Sequence, residues 1–375
     1  MPRPPADAPG EVRAADQRRC SGLAGLERLS AAWDALADDV QAMPFERPGW
    51  IAAWWRAFGR GKLKVLTSEG PGGLAAVLPV VRRPSSVFSP TNWHTPAFGL
   101  LGAGGAPQAE VADQLLALGA GHISLGFLPA GGTEVAVLAE AAEAARYRVR
   151  VTPYQRSLSV VLADDWDSFE RGLRRNLRRD VWRCRRRLAE AGEVTLDVVD
   201  GGPDLDERLD EAFAVEHAGW KALRKTAIAS RPSTTLFYGD VARWAAARGS
   251  LRLGFLRVGG RSIAFHLAIE EDGHYLPLKG GFDPLWSAYS PGKLLIHATL
   301  ERAFALGLER YEFLGGADAY KRRWANDERA TVRFQAFGRT PAGLVSRTTY
   351  EYGRPLAKRA RGSLTRKARS RGPAS

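Results

Sequence analysis

The stretch GSLRLGFLRVGGRSIAFHLAI, residues 249–269, decides how the chain is read. Apolar and polar residues alternate up to a Gly-Gly pair, and a more continuous apolar run follows. That pattern predicts a β-hairpin closed by a tight glycine turn. The stretch GKLKVLTSEGPGGLAAVLPVV, residues 61–81, has the same order of strand, glycine turn and apolar strand. A Trp-bearing helical segment precedes each copy, over 48–58 and 234–248. The copies start about 188 residues apart, half of the 375-residue chain. Such a spacing fits two copies of one domain, as the length alone suggests.

Outward from the two hairpins, helices are expected over 23–37, near 107–120, over 133–146, about 167–191 and 204–220. Strands are expected at HISLGF, RVRVTPY, SLSVVL and VTLDVV. Residues 83–108, rich in Pro, Gly and Ser, read as a long loop. After the second hairpin the order is strand HYLPLKGGFD, helix SPGKLLIHATLERAFALG and strand ERYEFLGG. Alternating strand and helix around antiparallel hairpins predicts an α/β fold of the α+β mixed-sheet kind, with helices on both sheet faces.

Hydrophobic residues are 45% and charged residues 25%, which excludes a mostly disordered chain. The longest apolar runs, such as 74–81, are far below the roughly 20 residues that a spanning helix needs. The N-terminus MPRPPADAPGEVR has no apolar core of a secretory signal. Two cysteines, Cys20 and Cys184, exclude a disulfide scaffold and fit a cytoplasmic protein. Six scattered His show no zinc-ligand spacing, so no metal is expected.

The formal net charge is +13, and 45 of the 54 basic residues are Arg. They concentrate in RGLRRNLRRDVWRCRRR, residues 171–187, and in the acid-free tail 354–371. Either cluster could attract a polyanion, and either could be a solvated surface. In the first cluster Leu173, Leu177, Val181, Cys184 and Leu188 recur every three or four residues. That spacing predicts an amphipathic helix docked by one face, with its Arg held in fixed places.

Three groups could carry chemistry. Ser290, Pro291, Gly292 and Lys293 open a helix. Ser290 reads as an N-cap and Pro291 as the first helical residue. Unpaired amides and the helix dipole there would face an anion such as a phosphate, and Lys293 would add charge. An ordinary capped helix start reads the same way. Glu216, His217, Trp220 and Lys221 lie on or just after one helix, where Glu216 could accept a proton from an attacking amine. A packed helix end is the alternative. Tyr320, Lys321 and Trp324 follow a strand end, where Tyr320 could protonate a leaving group and Lys321 could stabilise developing negative charge. A basic helix start with Trp324 in the core is the alternative. His266, inside an apolar strand, reads as a packed histidine, and His94 has no partner pattern. No Walker A, GxGxxG, GxSxG or HExxH sequence is present.

The runs EHAGWKALRKTAI, RLGFLRVGGRSIAFHLAI, YLPLKGGFDPLWSAYSPGKLL and RYEFLGGADAYKRRW together resemble the CelD/BcsL-type acetyltransferases of the GNAT superfamily. PFERPGWIAAWWRAFGRGKLKVL and the basic run LRRNLRRDVWRCRRRLAEAGEV are similar to that family's first half and linking helix. The likeness covers roughly residues 25–338. It implies two tandem GNAT-like domains: 23–165, and 166–340 with the basic helix, flanked by disordered ends at 1–22 and 341–375. It also implies transfer of an acyl group from acyl-CoA, acetyl-CoA first, to an amine or sugar hydroxyl, in exopolysaccharide or cell-envelope metabolism. Catalysis then falls to Glu216, Tyr320 and Lys321. CoA falls to Ser290–Lys293, although the usual second glycine of that loop is replaced by Leu294 and Leu295. The acceptor falls to Trp220, Lys221 and Trp324. The related Fem transferases use aminoacyl-tRNA, which Arg174, Arg175, Arg178 and Arg179 would contact. A third possibility is a non-catalytic scaffold whose basic tail touches a partner or a membrane. A pseudo-dimer within one chain favours a monomer.

Overall fold

The computed structural model describes residues 21–217 and 231–350. Helices α1 (Gly22–Asp39) and α2 (Pro48–Phe58) precede strands β1 (Lys62–Gly70), β2 (Gly73–Arg83), β3 (Ser86–Phe88) and the short β4 (Leu101–Gly102). Helix α3 (Ala106–Ala117), strand β5 (His122–Pro129), helix α4 (Thr133–Ala144) and strand β6 (Arg148–Val161) complete the first half. The second half has α5 (Trp166–Gly172), α6 (Arg175–Glu190), β7 (Val194–Val199), α7 (Leu205–His217) and α8 (Pro232–Ala247). It continues with β8 (Leu251–Val258), β9 (Arg261–Glu271), β10 (His274–Phe282), α9 (Pro291–Ala305), β11 (Arg310–Glu312), β12 (Asp327–Phe337) and α10 (Pro341–Thr348).

The strands form one mixed sheet in the order β1-β2-β3-β5-β12-β6-β11-β10-β9-β8-β7, with β4 beside β2. The halves repeat one plan. In each, an antiparallel three-strand meander leads through a helix to a strand parallel to its third member: β3 with β5, and β10 with β11. The hairpins at 61–81 and 249–269 are the same part of that plan. The last strand does not stay in its own half. β12 runs antiparallel to β6 from Asp327↔Ser159 to Phe337↔Arg148, and its other edge pairs β5.

Where two strands were expected at RVRVTPY and SLSVVL, β6 is one strand of 14 residues. Pro153 has no N–H to donate, and it sits at a register shift opposite Val332, where the ladder tolerates the missing donor. The loop expected over 83–108 contains β3 and β4. The single basic helix expected over about 167–191 is two helices. Leu173 and Arg174 between them are extended, and Leu173 turns into the core. Asp165 caps α5 by accepting the Ser168 N–H at 2.8 Å, and Arg178 donates to the Arg171 carbonyl at 2.9 Å. On α6 the expected stripe of Leu177, Val181, Cys184 and Leu188 is buried. Helix α10 occupies 341–348, within the expected tail.

Three apolar cores stabilise the sheet. One lies against α3 and α4, around Leu115, Ile123 and Phe334. A second lies under α6 and α9, around Leu177, Leu295 and Tyr311. The third joins the halves, with Trp33, Phe45 and Trp50 packed with Phe213, Phe237 and Phe265. Helices α2 and α8 cross so closely there that a Cβ on Gly49 would fall 2.0 Å from the Trp244 indole nitrogen. Beside this core Glu46 accepts the Met43 N–H at 3.1 Å. Burial, with the Glu134 carboxylate nearby, pushes its carboxyl up to about 7. The folded form therefore favours protonated Glu46. That contribution is complete below pH 4.5 and is lost as the pH rises through 7. Glu46→Gln is expected to stabilise the protein at pH 8 by roughly 2–3 kcal/mol, since one pKa unit is about 1.4 kcal/mol. At pH 4.5 it should leave stability unchanged. Thermal melts of both proteins at the two pH values check this, and equal midpoint differences at both would refute it.

Candidate functional site

A cavity of about 580 Å³ opens where the parallel strands β10 and β11 part. They pair only at His274↔Arg310 and Tyr275↔Tyr311. Beyond Tyr275 a bulge at Pro277–Lys279 turns β10 away from β11 and re-aims Lys279. The carboxyl ends of diverging parallel strands are a common place for a ligand in α/β sheets. Glu216, Lys279, Lys293, Tyr320, Lys321 and Trp324 all line this cavity.

Glu216 closes helix α7 and is 1% exposed. Its carboxylate lies 3.4 Å from the Lys279 ammonium. The close approach of α7 requires glycine on β10, because a Cβ on Gly281 would come within 3.0 Å of the Glu216 backbone and stem. Gly280 likewise makes room for the His266 ring, which faces the cavity. His266 is therefore a wall residue, where the sequence suggested only packing. Trp220 and Lys221 lie outside the described residues.

At the start of α9 Ser290 occupies the left-handed region at φ 54° and ψ 53°, and its side chain makes no cap hydrogen bond. Ser290 stands at the expected N-cap position, but its side chain does not do the capping. Its carbonyl accepts the Lys293 and Leu294 amides at 3.0 and 3.3 Å, the first bonds of the helix. Pro291 stands at the first helical position. Gly292 faces the cavity with only Phe282 at 3.5 Å from a virtual Cβ, so the backbone is open to a ligand. Lys293 donates to Asp180 of α6 and ties the two helices together. Leu294 and Leu295, in place of the expected second glycine, are core residues.

Lys321 is 7% exposed, and burial holds its ammonium below the usual lysine range. It donates to the carbonyls of Leu314 at 2.8 Å and Gly316 at 3.0 Å, with Asp318 at 3.3 Å. Those contacts fix a turn in which Leu314, a non-glycine residue, sits at φ 50°. Tyr320 stands at the cavity mouth. Partial burial and the Asp318 carboxylate push its hydroxyl up to about 12, so it keeps its proton at neutral pH. Trp324 is in the core with one face on the cavity.

Four wall residues, Trp93, His94, Tyr238 and Lys279, were not legible in the sequence. The loop between β3 and β4 brings Trp93 and His94 across from the first half. Nδ1 of His94 and the Tyr238 hydroxyl are hydrogen-bonded at 2.9 Å. Burial, with Lys279 and Arg231 nearby, lowers the His94 pKa to about 3, so the ring is neutral. The Lys279 ammonium lies 5.6 Å from the Trp93 ring centre and 5.8 Å from that of Tyr238. The Lys-Gly-Gly inside YLPLKGGFD was the available signal, because glycine inside a strand marks close approach.

Residues 175–322 match the family model of the acetyltransferase (GNAT) domain. No curated protein matches the chain. The fold is similar to that of the crystal structure of FemX, with a TM-score of 0.57 at 10% identity over 84% of this chain and 98% of that one. It is also similar to the C-terminal domain (DUF2156) of a protein described as a lysylphosphatidylglycerol synthetase from Agrobacterium fabrum. That match has a TM-score of 0.53 at 15% identity, over 85% of this chain and 97% of that one. The fold is thus that of GNAT-type acyltransferases. Among the described residues no helix is long and apolar enough to cross a membrane, and no cluster of His, Cys, Asp and Glu could hold a metal ion.

Proposed function

We propose that the chain transfers an acyl group from acyl-CoA to an amine, or to a sugar hydroxyl, in the cavity between β10 and β11. The observation that carries this reading is the convergence of a buried carboxylate, an open helix start and a protonated tyrosine on one cleft within the GNAT-matched region. The CoA pyrophosphate would lie against the Gly292 amide at the start of α9, where the helix dipole favours negative charge. Glu216 would take the proton of the attacking amine as nitrogen adds to the thioester carbonyl. As the carbon–sulfur bond breaks, Tyr320 would protonate the departing thiolate. Lys321, whose hydrogen bonds hold the Leu314 turn, would stabilise the oxyanion by charge and position rather than by a free N–H. Trp93 and Trp324 would wall the acceptor. The CelD/BcsL likeness favours an acceptor from exopolysaccharide or cell-envelope metabolism.

Titration calorimetry with acetyl-CoA, longer acyl-CoAs and CoA tests the donor. Micromolar binding is expected, weakened at least tenfold in Gly292→Asp, which sets a carboxylate beside the phosphates. Equal binding by that variant would remove the pyrophosphate from α9. No binding by the native protein would remove acyl-CoA as the donor.

The FemX-like fold supports a second reading, with aminoacyl-tRNA as the donor. Arg175 and Arg179 are exposed on the face of α6 opposite its apolar stripe and Arg174 is exposed just before the helix, whereas Arg178 is tied to the Arg171 carbonyl. Binding of tRNA through them would fall steeply with salt. Salt-independent binding, or none, would reject this reading.

A further inference from the structure

The first half has its own cleft at the place that the repeat makes equivalent to the one just described. Strands β3 and β5 pair in parallel over Ser86↔His122, Val87↔Ile123 and Phe88↔Ser124, and then part as β10 and β11 do. A cavity of about 360 Å³ lies there. That is within the range of small-molecule sites, roughly 300–1,000 Å³. Its charged wall residues are Arg60, Arg83 and Arg333, and no carboxylate lines it.

None of the three guanidinium groups has an acidic partner among the described residues. Two are held by aromatic rings instead. Arg83 lies 5.0 Å from the Phe88 ring centre, and Arg333 lies 4.0 Å from that of Tyr154. Stacking fixes the guanidinium plane and leaves its edge free to donate, which lowers the ordering cost of binding an oxyanion. By contrast Lys293, beside the other cleft, is neutralised by Asp180. Three unneutralised arginines around one concave space favour a multiply charged anion, and the paired N–H groups of guanidinium match phosphate geometry.

We infer that this cleft is a binding site for a phosphorylated small molecule, separate from the site between β10 and β11. The two cavities share a wall. Residues Ser89, Thr91 and Asn92 line this one, and Trp93 and His94, next along the same loop, line the other. Phe58, which also lines this cleft, stacks on the His94 ring at 5.3 Å. A ligand here therefore bears on the loop that completes the second cleft.

Calorimetric titration of the full chain with pyrophosphate and with ADP, at about 50 and 200 mM salt, tests the assignment. Native protein is expected to bind pyrophosphate, more weakly at the higher salt. The triple variant Arg60→Gln, Arg83→Gln, Arg333→Gln is expected to bind at least tenfold more weakly at the same melting temperature. Both proteins are also titrated in the Gly292→Asp background, so that the helix start of α9 does not contribute to the pyrophosphate binding that is read. If the triple variant does not fold, Arg60→Gln alone should weaken binding about threefold. The assignment is overturned if native protein binds no phosphate compound, or if the folded arginine variants bind as native does. It is also overturned if malonate binds as tightly as pyrophosphate, because the site would then be one for carboxylates. Acyl-CoA binding that fails while pyrophosphate binding persists would reject the proposed donor and leave this site standing.

Discussion

Glu216→Gln is expected to lower kcat by about two to three orders of magnitude, the usual yield of a positioned general base. The substitution keeps the size of the side chain and removes only its basicity. It also leaves the Lys279 ammonium, 3.4 Å away, facing a neutral amide. KM for the acyl donor should change little, because Glu216 lies on α7 and the α9 helix start is a separate wall. Steady-state kinetics with acetyl-CoA and an amine acceptor separate the two parameters, and the melting temperature checks the fold. Full turnover in Glu216→Gln would dismiss this residue as the base. His94 does not offer an easy replacement: its pKa of about 3 makes it a weak proton acceptor.

The second large effect concerns stability. Arg47 is 1% exposed and holds the halves together through a shared group of charges. Its guanidinium lies 2.6 Å from Asp38, 3.5 Å from Asp34 and 2.9 Å from Glu271 at the end of β9. Arg248 contacts Asp34 and Glu271 too, at 3.4 and 3.0 Å. Arg47→Leu would leave three carboxylates facing one guanidinium, one of them only 10% exposed. Removing one partner of a buried ion pair costs about 3–5 kcal/mol. A value near the low end is expected, because Asp38 is open to solvent and Arg248 remains. Urea unfolding measures it directly. A loss below about 1 kcal/mol would show the network to be screened.

The parts of the fold that were legible are those with a local signature. The hairpins at 61–81 and 249–269 declare themselves by alternation around glycine. The stripe Leu177, Val181, Cys184 and Leu188 declares itself by helical spacing. The break at Leu173 was hidden because its side chain keeps the apolar rhythm while its backbone does not. At the site Glu216, Gly292, Tyr320 and Lys321 were legible as types, and the structure brings them to one cavity. Their partners were not. Tyr238 hydrogen-bonds a histidine 144 positions away in sequence, and no local pattern encodes such a meeting. The partners of Lys321 were hidden too, because they are backbone carbonyls, to which every residue type contributes alike.

The position of β12 bears on how the protein is made. A ribosome releases the strands of the first half long before residues 327–337, which complete their hydrogen bonding. Until then the facing edges of β5 and β6 are open, and open edges are prone to pair with other chains. The contacts that close the sheet are non-local, and such contacts slow folding. A nascent chain therefore passes through a stage in which its first half is assembled but unsealed. Its own C-terminal segment is the strand that ends that exposure, and a chain cut before residue 327 would keep it.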